Sequence, residues 1–274
     1  MNVSTTSLEP RFSLVFVNFH SGKYLAKALE SLFLWESPLY FEVIVVNNDE
    51  KEAKLLQSLQ SFFPFRLIES GENLGYGGGI NRGSDEAKGN IYGFLNPDTL
   101  WQESTLLPVE KCFLEEERLG VLGLSLRNKD GSQEAWSSGR DMSLFRLIGS
   151  NFFPSLFRFP DRRGALPSGS VRVDWVSGGA LFVRKEIFKE LHGFDERFFL
   201  YFEDVDFCRR VRERGFRIAL CQSPRLLHFG GRSQTSPSLQ KRAFYASQET
   251  YFKKYFSPLE YGTLRLLRFL RYGF

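Results

Sequence analysis

The sequence predicts an α/β protein with a mostly parallel central sheet flanked by helices and a helical segment at its C-terminus. Short apolar runs alternate with amphipathic stretches through the first hundred residues, as expected for strands joined by crossover helices. Apolar residues make up 42% of the 274 residues and charged residues 25%, a composition that excludes a disordered chain. No run of about 18 apolar residues occurs, so no helix is expected to span a bilayer.

The first half contains four predicted strands with helices between them. FSLVFV at 12–17 and the β-branched run EVIVV at 42–46 predict the first two strands, and helical apolar spacing over 24–32 predicts the helix between them. A helix is expected over 51–62 and a third strand over 65–68. A glycine-rich stretch then leads into a helix near 79–88, and IYGFL at 91–95 predicts the fourth strand.

Parallel sheets of this kind bind ligands beyond the carboxyl ends of their strands. The sequence therefore predicts a ligand site among the residues that follow the four strands. These are Asn18, Asn47 to Asp49, Glu69 to Gly71, and Asn96 to Asp98.

The second half is less regular. Residues 137–172 hold six arginines against two aspartates and predict a long functional loop or, alternatively, a surface insertion. Residues 173–183 predict a turn and a buried strand, and helices are expected at 185–191 and 203–214. From about residue 239 the chain is expected to be helical, with a break near Ser257-Pro258.

An acidic cluster opens the helix expected at 203–214. Glu203, Asp204 and Asp206 follow the strongly apolar run 198–202. Acidic residues in a first helical turn are favoured by the helix dipole, which is one interpretation. An acid at the edge of an apolar pocket has the environment of a general base, which is the other. Asp206 and Arg210 are spaced i, i+4 and are expected to form an ion pair.

Three further motifs each have a structural and a functional interpretation. ENLGYGGGINRG at 72–83 is neither a Walker loop nor a dinucleotide fingerprint, so it predicts either close approach to a ligand or a tight strand-to-helix turn. In NPDT, Asp98 is placed either to hold a divalent cation or to form a type I turn. His228, which follows a strand predicted at 217–221, is either structural or a ligand.

In order and spacing these motifs resemble the family 2 inverting glycosyltransferases of the GT-A fold, in their rhamnosyltransferase-like branch, over residues 12 to about 235. The family's glycine-rich stretch N-x-G-[YF]-[GA]-x-G-x-N-x-G is matched by Asn73, Gly75, Tyr76, Gly77, Gly79, Asn81 and Gly83. Its W-x-S-G-[GA] segment is matched by Trp175, Ser177, Gly178 and Gly179, with the basic residue at Arg184. Its G-F-D-E-x-F-F-x-Y-x-E-D signature is matched from Gly193 onward, and its metal motif is similar to Asn96-Pro97-Asp98.

The resemblance implies a role for each matched position. Donor binding is expected at Asn18, Asn47, Asp49, Asn73, Gly75, Tyr76, Asn81, Asn96 and Asp98. Acceptor binding is expected at Trp175, Gly178, Gly179 and Glu203. Asp204 is expected to be the catalytic base, with Glu203 beside it, and Mn²⁺ or Mg²⁺ is expected at Asp98 and His228.

The resemblance also implies the reaction and the domain organisation. It implies inverting, cation-assisted transfer of a sugar from dTDP-rhamnose or a UDP-sugar to a glycan or lipid-linked acceptor, in the assembly of cell-envelope polysaccharide. Residues 1–235 are expected to form the GT-A domain, with a nucleotide-sugar half at about 10–100 and an acceptor half at about 101–235. Residues 236–274 are expected to form a helical extension.

Two departures from the family pattern leave a second function open. Asn47 stands where the family usually has an aspartate, and Asn96 stands where a full D-x-D motif has its first aspartate. The alternative is a catalytically inactive GT-A-like module that binds sugar nucleotides or a partner protein.

Charge and the C-terminal segment bear on partners and location. The net charge of +4 is too small to predict nucleic-acid binding. Arg265, Arg268 and Arg271 are spaced among leucines, which predicts either a helix on an anionic membrane surface or a terminal helix docked on the domain. We expect a cytoplasmic protein, with peripheral contact to the cytoplasmic face of the inner membrane if the first interpretation holds.

Overall fold

A central sheet of nine strands runs through the part of the chain that the computed structural model describes, residues 9–134, 137–145, 164–166, 168–229 and 237–272. The strands of the described residues are β1 (Phe12–Asn18), β2 (Phe41–Asn47), β3 (Arg66–Glu69), β4 (Ile91–Leu95), β5 (Thr99–Trp101), β6 (Leu119–Arg127), β7 (Ser138–Gly139), β8 (Val171–Val173), β9 (Trp175–Val176), β10 (Ala180–Arg184) and β11 (Arg217–His228). The helices are α1 (Gly22–Trp35), α2 (Ala53–Leu59), α3 (Gly75–Ser84), α4 (Leu106–Glu115), α5 (Lys185–Glu190), α6 (Glu203–Glu213), α7 (Pro237–Tyr255) and α8 (Pro258–Tyr272). The α/β class predicted from the sequence is confirmed.

The strand order of the sheet is β3-β2-β1-β4-β10-β6-β11-β5, and β8 pairs with β11. Strands β1 to β4 are mutually parallel, β10 is antiparallel to β4 and β6, and β6 and β11 are parallel. In the register, Asn18 pairs with Asn47, and Asn47 pairs with Glu69. The polar residues predicted to follow the first three strands therefore share one edge of the sheet.

Both faces of the sheet are covered, which explains why β1 has apolar side chains on both of its faces. Phe12, Leu14 and Phe16 belong to one buried cluster, and Val15 and Val17 belong to the other. Side chains alternate between the faces of a strand, so a strand that is buried on both sides is mostly apolar. The buried Ser13 is satisfied by donating to Glu42 Oε1 at 2.6 Å.

Several elements differ from the prediction. Strands β5 and β6 and helix α4 were not predicted, and β6 lies at the centre of the sheet between β10 and β11. Helix α3 begins at Gly75 rather than near residue 79, because its first turn is held by a contact from the distant residue Phe199. Residues 146–163 and 167 of the predicted long loop lie outside the described residues.

Two C-terminal helices follow the sheet, as predicted, and they break at Ser257-Pro258. Lys254 of α7 lies 2.5 Å from Asp206 Oδ1 and 2.7 Å from Asp195 Oδ2, so α7 is fastened to the first turn of α6. The predicted i, i+4 pair between Asp206 and Arg210 is present at 2.8 Å. In the described ranges no helix combines the length and the apolar character needed to cross a membrane.

Candidate active site

The carboxyl ends of β1, β2 and β3 carry a connected set of amides and carboxylates. Asn18 Nδ2 donates to Asn47 Oδ1 at 3.0 Å and to Glu52 Oε2 at 2.9 Å. Asn47 Nδ2 donates to Glu69 Oε2 at 2.7 Å. An aspartate at position 47 would set its carboxylate against that of Glu69, so the amide of Asn47 and the carboxylate of Glu69 form a matched pair. The negative charge that the family usually carries on β2 is present here on β3.

Asp49 lies at the same edge and is buried. Its Oδ1 accepts from the backbone N–H of Lys51 at 3.1 Å, and its Oδ2 lies 2.7 Å from His20 Nδ1. His20 was not selected from the sequence, although its position two residues beyond β1 is the same signal that selected Asn18.

The glycine-rich stretch connects this edge to the segment before α6. Asn73 Oδ1 accepts from the N–H of Gly75 at 3.0 Å, and Tyr76 N–H donates to Phe199 O at 3.0 Å. Asn81 Oδ1 accepts from Phe194 N–H at 2.8 Å, and its Nδ2 donates to Phe194 O at 2.9 Å. The amide of Asn81 is thus engaged with the 193–202 segment, and this stretch is a junction between the two halves of the domain.

Gly75 is the position in this junction where a side chain is excluded. Its φ is +73°, and a Cβ there would overlap the carbonyl oxygen of Phe199 and lie 2.9 Å from Phe199 Cδ2. We expect Gly75→Ala to lower the free energy of unfolding by about 3 kcal/mol, combining left-handed strain with overpacking. Urea unfolding checks this.

Gly71→Ala is the matched control for Gly75→Ala. Gly71 has a φ of +77°, but no atom lies within 4 Å of the added Cβ. Its expected cost is the backbone strain alone, about 1 kcal/mol. Equal losses in the two variants would contradict a steric role for Phe199 at this junction.

The acidic cluster lies at the first turn of α6, where the sequence placed it. Asp204 Oδ2 accepts from Gly178 N–H at 2.9 Å, and its Oδ1 accepts from Val205 N–H at 2.8 Å. Burial raises the pKa of Asp204, and these two hydrogen bonds partly oppose the rise. Glu203 is buried, and its Oε2 has no hydrogen-bond partner within the described part of the chain.

Burial, followed by the charge of Asp204, raises the pKa of Glu203 well above its ordinary value. Because two adjacent buried carboxylates disfavour each other's ionisation, we expect Glu203 to hold a proton while Asp204 is ionised. The same two acids, after burial, raise the pKa of Tyr76, whose hydroxyl donates to Gly178 O. An ionised carboxylate beside a neutral one is the state that a general base needs.

The raised pKa of Glu203 makes a stability prediction with a definite sign. A carboxyl group with a raised pKa in the folded state lowers stability as pH rises above about 4.3, the value in an unfolded chain. Glu203→Gln removes this penalty, so we expect a higher melting temperature than wild type at neutral pH. The difference should vanish at about pH 4, where both side chains are uncharged. A Glu203→Gln variant that melts lower at both pH values would contradict a protonated Glu203.

A second acidic group surrounds His228 at the end of β11. His228 Nε2 lies 3.0 Å from Asp98 Oδ1, and His228 Nδ1 lies 2.8 Å from Glu134 Oε2. Burial lowers the pKa of His228, but the hydrogen bonds with Asp98 and Glu134 outweigh it and raise the pKa to about 9. The strand register brings His228 and Asp98 together, because His228 pairs with Thr99, which directly follows Asp98. Glu134 was missed in the sequence, since it comes from the irregular segment after β6.

These residues fit a divalent cation. Two ligand atoms bound cis at about 2.1 Å in octahedral geometry lie about 3.0 Å apart, the separation of Asp98 Oδ1 and His228 Nε2. Glu134 on the other ring nitrogen has the position of an outer carboxylate that orients a ligating histidine. Within the described ranges no three His, Cys, Asp or Glu side chains form a complete metal cluster, so substrate oxygens and water would fill the remaining positions.

The Ser177–Gly179 turn joins the two acidic groups. Gly178 N–H donates to Asp204, while Asn96 N–H donates to Gly179 O at 3.1 Å. Asn96 Nδ2 lies 3.3 Å from His228 Nε2. Trp175, in contrast, is buried in the core, and its Nε1 donates to Arg140 O at 2.9 Å. The turn therefore connects Asp204, through Gly178, Gly179 and Asn96, to the Asp98–His228 pair.

Comparisons with known proteins identify the family and the fold. The model of glycosyl transferase family 2 matches residues 13–191, and that of the N-terminal domain of galactosyltransferase matches 168–230. The N-acetylglucosaminyl-diphospho-decaprenol L-rhamnosyltransferase of Mycobacterium tuberculosis is 30% identical over 234 residues, covering 78% of this chain and 75% of the relative. Rhamnosyltransferase WbbL of Escherichia coli is 25% identical, covering 79% and 82%. The structure of mannosyltransferase PcManGT from Pyrobaculum calidifontis with GDP-Man and Mn²⁺ superposes with a TM-score of 0.58 at 14% identity, covering 96% and 81%.

The mostly parallel sheet flanked by helices is that of the GT-A fold, and the family match makes the protein a glycosyltransferase. The family model matches more than half of the chain, which is enough to assign the chain to that family. This protein belongs to glycosyl transferase family 2, in its rhamnosyltransferase-like branch.

Proposed function

We propose that this enzyme transfers a sugar, with inversion at the anomeric carbon, from a nucleotide-diphospho-sugar to a glycan or lipid-linked acceptor. The observation that carries the proposal is the Ser177–Gly179 turn, which connects Asp204 on one side to Asn96, and through it to the Asp98–His228 pair, on the other. A chain of hydrogen bonds thus joins the acid proposed for the acceptor to the pair of ligands proposed for the donor diphosphate.

The donor half has the groups that a nucleotide requires. Asn18, Asn47 and Asp49 line the edge at which nucleotides bind in open parallel sheets, and Asn73 and Gly75 close it. Glu69, held by Asn47, supplies a carboxylate that accepts hydrogen bonds from a ribose or a base. Asn81 acts through the junction as a positioning residue, while Tyr76 holds the Gly178 carbonyl next to the base.

The acceptor hydroxyl loses its proton to Asp204 as its oxygen attacks the anomeric carbon from the face opposite the diphosphate. This is the geometry of inverting glycosidases, with a sugar hydroxyl in place of water. Gly178 N–H keeps the Asp204 carboxylate oriented, and the neutral Glu203 is available to hydrogen-bond an acceptor hydroxyl. Mn²⁺ or Mg²⁺, held by Asp98 and His228, would supply charge for the leaving diphosphate.

Donor and stereochemistry are tested together. dTDP-rhamnose and a panel of UDP- and GDP-sugars are incubated with Mn²⁺ and an N-acetylglucosaminyl-diphospho-lipid, and the product anomer is assigned by NMR. The relative from Mycobacterium tuberculosis is named as a rhamnosyltransferase, so we expect dTDP-rhamnose to turn over fastest. A product with a retained anomeric configuration contradicts inversion. Binding of a donor without any transfer or hydrolysis supports the inactive module instead.

We propose a catalytic domain followed by a helical extension. Residues 1–235 form the catalytic domain, with a donor half over about 10–100 and an acceptor half over about 101–235, and 236–274 form the helical extension. The contacts of Lys254 with Asp206 and Asp195 support treating the extension as a brace on the catalytic helix α6.

The outer face of α8 supports peripheral contact with the cytoplasmic face of a membrane. Leu264 and Arg268 are buried toward α7, with Arg268 paired to Glu249 at 2.8 Å. The opposite face is apolar and more than half exposed at four positions: Leu259, Leu266, Phe269 and Leu270. One face of α8 is docked on the domain, and the exposed apolar face is the one proposed to contact lipid.

We expect Leu266→Glu combined with Phe269→Glu to reduce flotation with anionic vesicles at least about tenfold, because each exposed apolar side chain contributes about 1.5–3 kcal/mol on burial. Leu34→Glu is the control, because Leu34 is an equally apolar side chain, 75% exposed, on a different helix, α1. Unchanged flotation of the double variant would leave α8 with a structural role only.

A further inference from the structure

Two of the three cysteines of the chain line a cavity of about 440 Å³ between α4 and β11. Cys112 comes from α4 and Cys221 from β11, and each is 4% exposed. Leu107 and Lys111 of α4 form part of the same wall. Leu107 is 52% exposed and the Lys111 side chain 73%, so the cavity opens at the protein surface and a small solute can reach both sulfur atoms. No residue proposed above for the donor, the acceptor or the cation lines this cavity.

The two thiols are hydrogen-bonded to each other, and this contact makes them unequal acids. The hydrogen bond from Cys221 lowers the pKa of Cys112 to about 7, although burial opposes the shift. The same hydrogen bond, followed by burial, raises the pKa of Cys221. Cys221 Sγ also lies 3.0 Å from Ser223 O, which is a second acceptor for its proton. Near neutral pH a large fraction of Cys112 is therefore a thiolate, and it lies beside a protonated thiol.

Other groups around the pair have smaller effects on the two pKa values. A hydrogen bond with Ser168 and the charge of Lys111 lower the pKa of Cys112, while the charge of Glu115 raises it. The charge of Glu103 raises the pKa of Cys221. The contact between the two sulfur atoms is thus the main cause of the difference, so the two cysteines act as a unit.

Cys208, the third cysteine, has a different environment. It is fully buried in α6 and does not line the cavity. Burial raises the pKa of its thiol to about 12. A thiol that stays protonated and out of contact with solvent is inert, so Cys208 is an internal reference for the reactivity of the other two.

We propose that Cys112 and Cys221 form a reversible disulfide, in which Cys112 reacts with hydrogen peroxide and Cys221 is the resolving thiol. An accessible thiolate with a second thiol beside it is the arrangement typical of redox-sensitive cysteine pairs. Because the two thiols are already in hydrogen-bond contact, only a short approach separates the sulfur atoms from the bond length of about 2.05 Å. The proposal is independent of sugar transfer.

The oxidation proceeds in two steps. The Cys112 thiolate attacks one oxygen of the peroxide, the O–O bond breaks, and hydroxide leaves with the electron pair, so that Cys112 becomes a sulfenic acid. The sulfur of Cys221 then attacks the sulfenic sulfur, the S–O bond breaks, and the hydroxyl group leaves as water with the proton of Cys221. The two thiols together lose two electrons, and one peroxide is reduced to two waters. A dithiol reductant reverses the reaction by thiol–disulfide exchange.

The disulfide would fasten α4 to the strand that ends at His228. The pairing of β11 with β6 is irregular directly after Cys221, because the next paired residue is Arg225. The bond would also close a loop of roughly 110 residues in the unfolded chain, which restricts that state. We therefore expect the oxidised protein to melt at least about 5 °C higher than the reduced protein.

Peptide mapping of the wild-type protein is the first test. The protein is treated with hydrogen peroxide and then denatured with N-ethylmaleimide to block the remaining thiols. Trypsin cleaves after lysine and arginine, so the three cysteines fall on the separate peptides 112–118, 198–209 and 218–225. We expect peptide 112–118 to be linked to 218–225, while 198–209 carries a blocked thiol, and dithiothreitol should release the link. A link between any other pair, oxidation of Cys208 as fast as Cys112, or no loss of thiols overturns the proposal.

Variants assign the order of the two steps, after melting temperatures have shown that each is folded. In Cys221→Ala the sulfenic acid has no resolving partner, so we expect dimedone to label Cys112. In Cys112→Ala we expect at least about tenfold less labelling of Cys221, because its thiol stays protonated. Cys208→Ala is the matched control, and it should form the disulfide as the wild type does. Equal labelling of Cys112 and Cys221 in the two variants contradicts the assigned roles.

Discussion

Asp204→Asn is expected to reduce kcat about 10³-fold or more while leaving the Kd for the donor within about twofold, since a general base contributes about 10² to 10⁴ to the rate. The amide cannot accept the proton from the acceptor hydroxyl, but its oxygen can still accept the hydrogen bond from Gly178 N–H. The measurement is initial-rate kinetics, together with calorimetric binding of the nucleoside diphosphate.

Glu203→Gln is the matched comparison for Asp204→Asn, because the two residues are adjacent and differ in protonation. Glutamine imitates the neutral carboxyl that Glu203 presents beside Asp204, so we expect kcat to fall no more than about tenfold. Since the pKa of Asp204 is raised, the acid limb of kcat should also lie above about pH 4, the ordinary aspartate value. A larger loss of kcat in Glu203→Gln than in Asp204→Asn would transfer the base role to Glu203.

Asp98→Ala is expected to lower kcat/KM by about 10² to 10³, a loss of the size seen when one group that stabilises developing charge is removed. Asp98 and His228 have the separation of two ligands on one cation. Among the described residues, no third His, Cys, Asp or Glu completes a metal-binding cluster with them. Chelation by EDTA should therefore abolish transfer, and added Mn²⁺ should restore it in the wild type more fully than in the variant.

The control for this prediction is Asp85→Asn, which removes an exposed carboxylate at the far end of α3. Glu134→Gln is expected to have an intermediate effect, about 10-fold to 100-fold on metal affinity, because it orients His228 from outside. Full activity of Asp98→Ala in EDTA would mean that the diphosphate is bound without a cation.

The edge of the sheet was predictable from the sequence because its signals are local. Apolar runs such as 12–17 and 42–46 identify strands that are buried on both faces, and the residues that follow such strands must share one edge. The acidic start of α6 and the Asp206–Arg210 pair likewise depend only on residues that are close together in the sequence. Strand β6 was not predicted, because LGVLGLSLR has glycines within it and owes its strand geometry to the partners on both sides.

The α/β class, the family motifs and the identity of the acids all follow from the order of residues along the chain. Which of these groups meet follows only from the folded arrangement. Tyr76 and Gly178 are 102 positions apart, and His228 and Glu134 are 94 apart, so no local pattern could pair them. The same holds for Asn47 with Glu69, since the charge that a side chain faces depends on which strands the sheet places side by side.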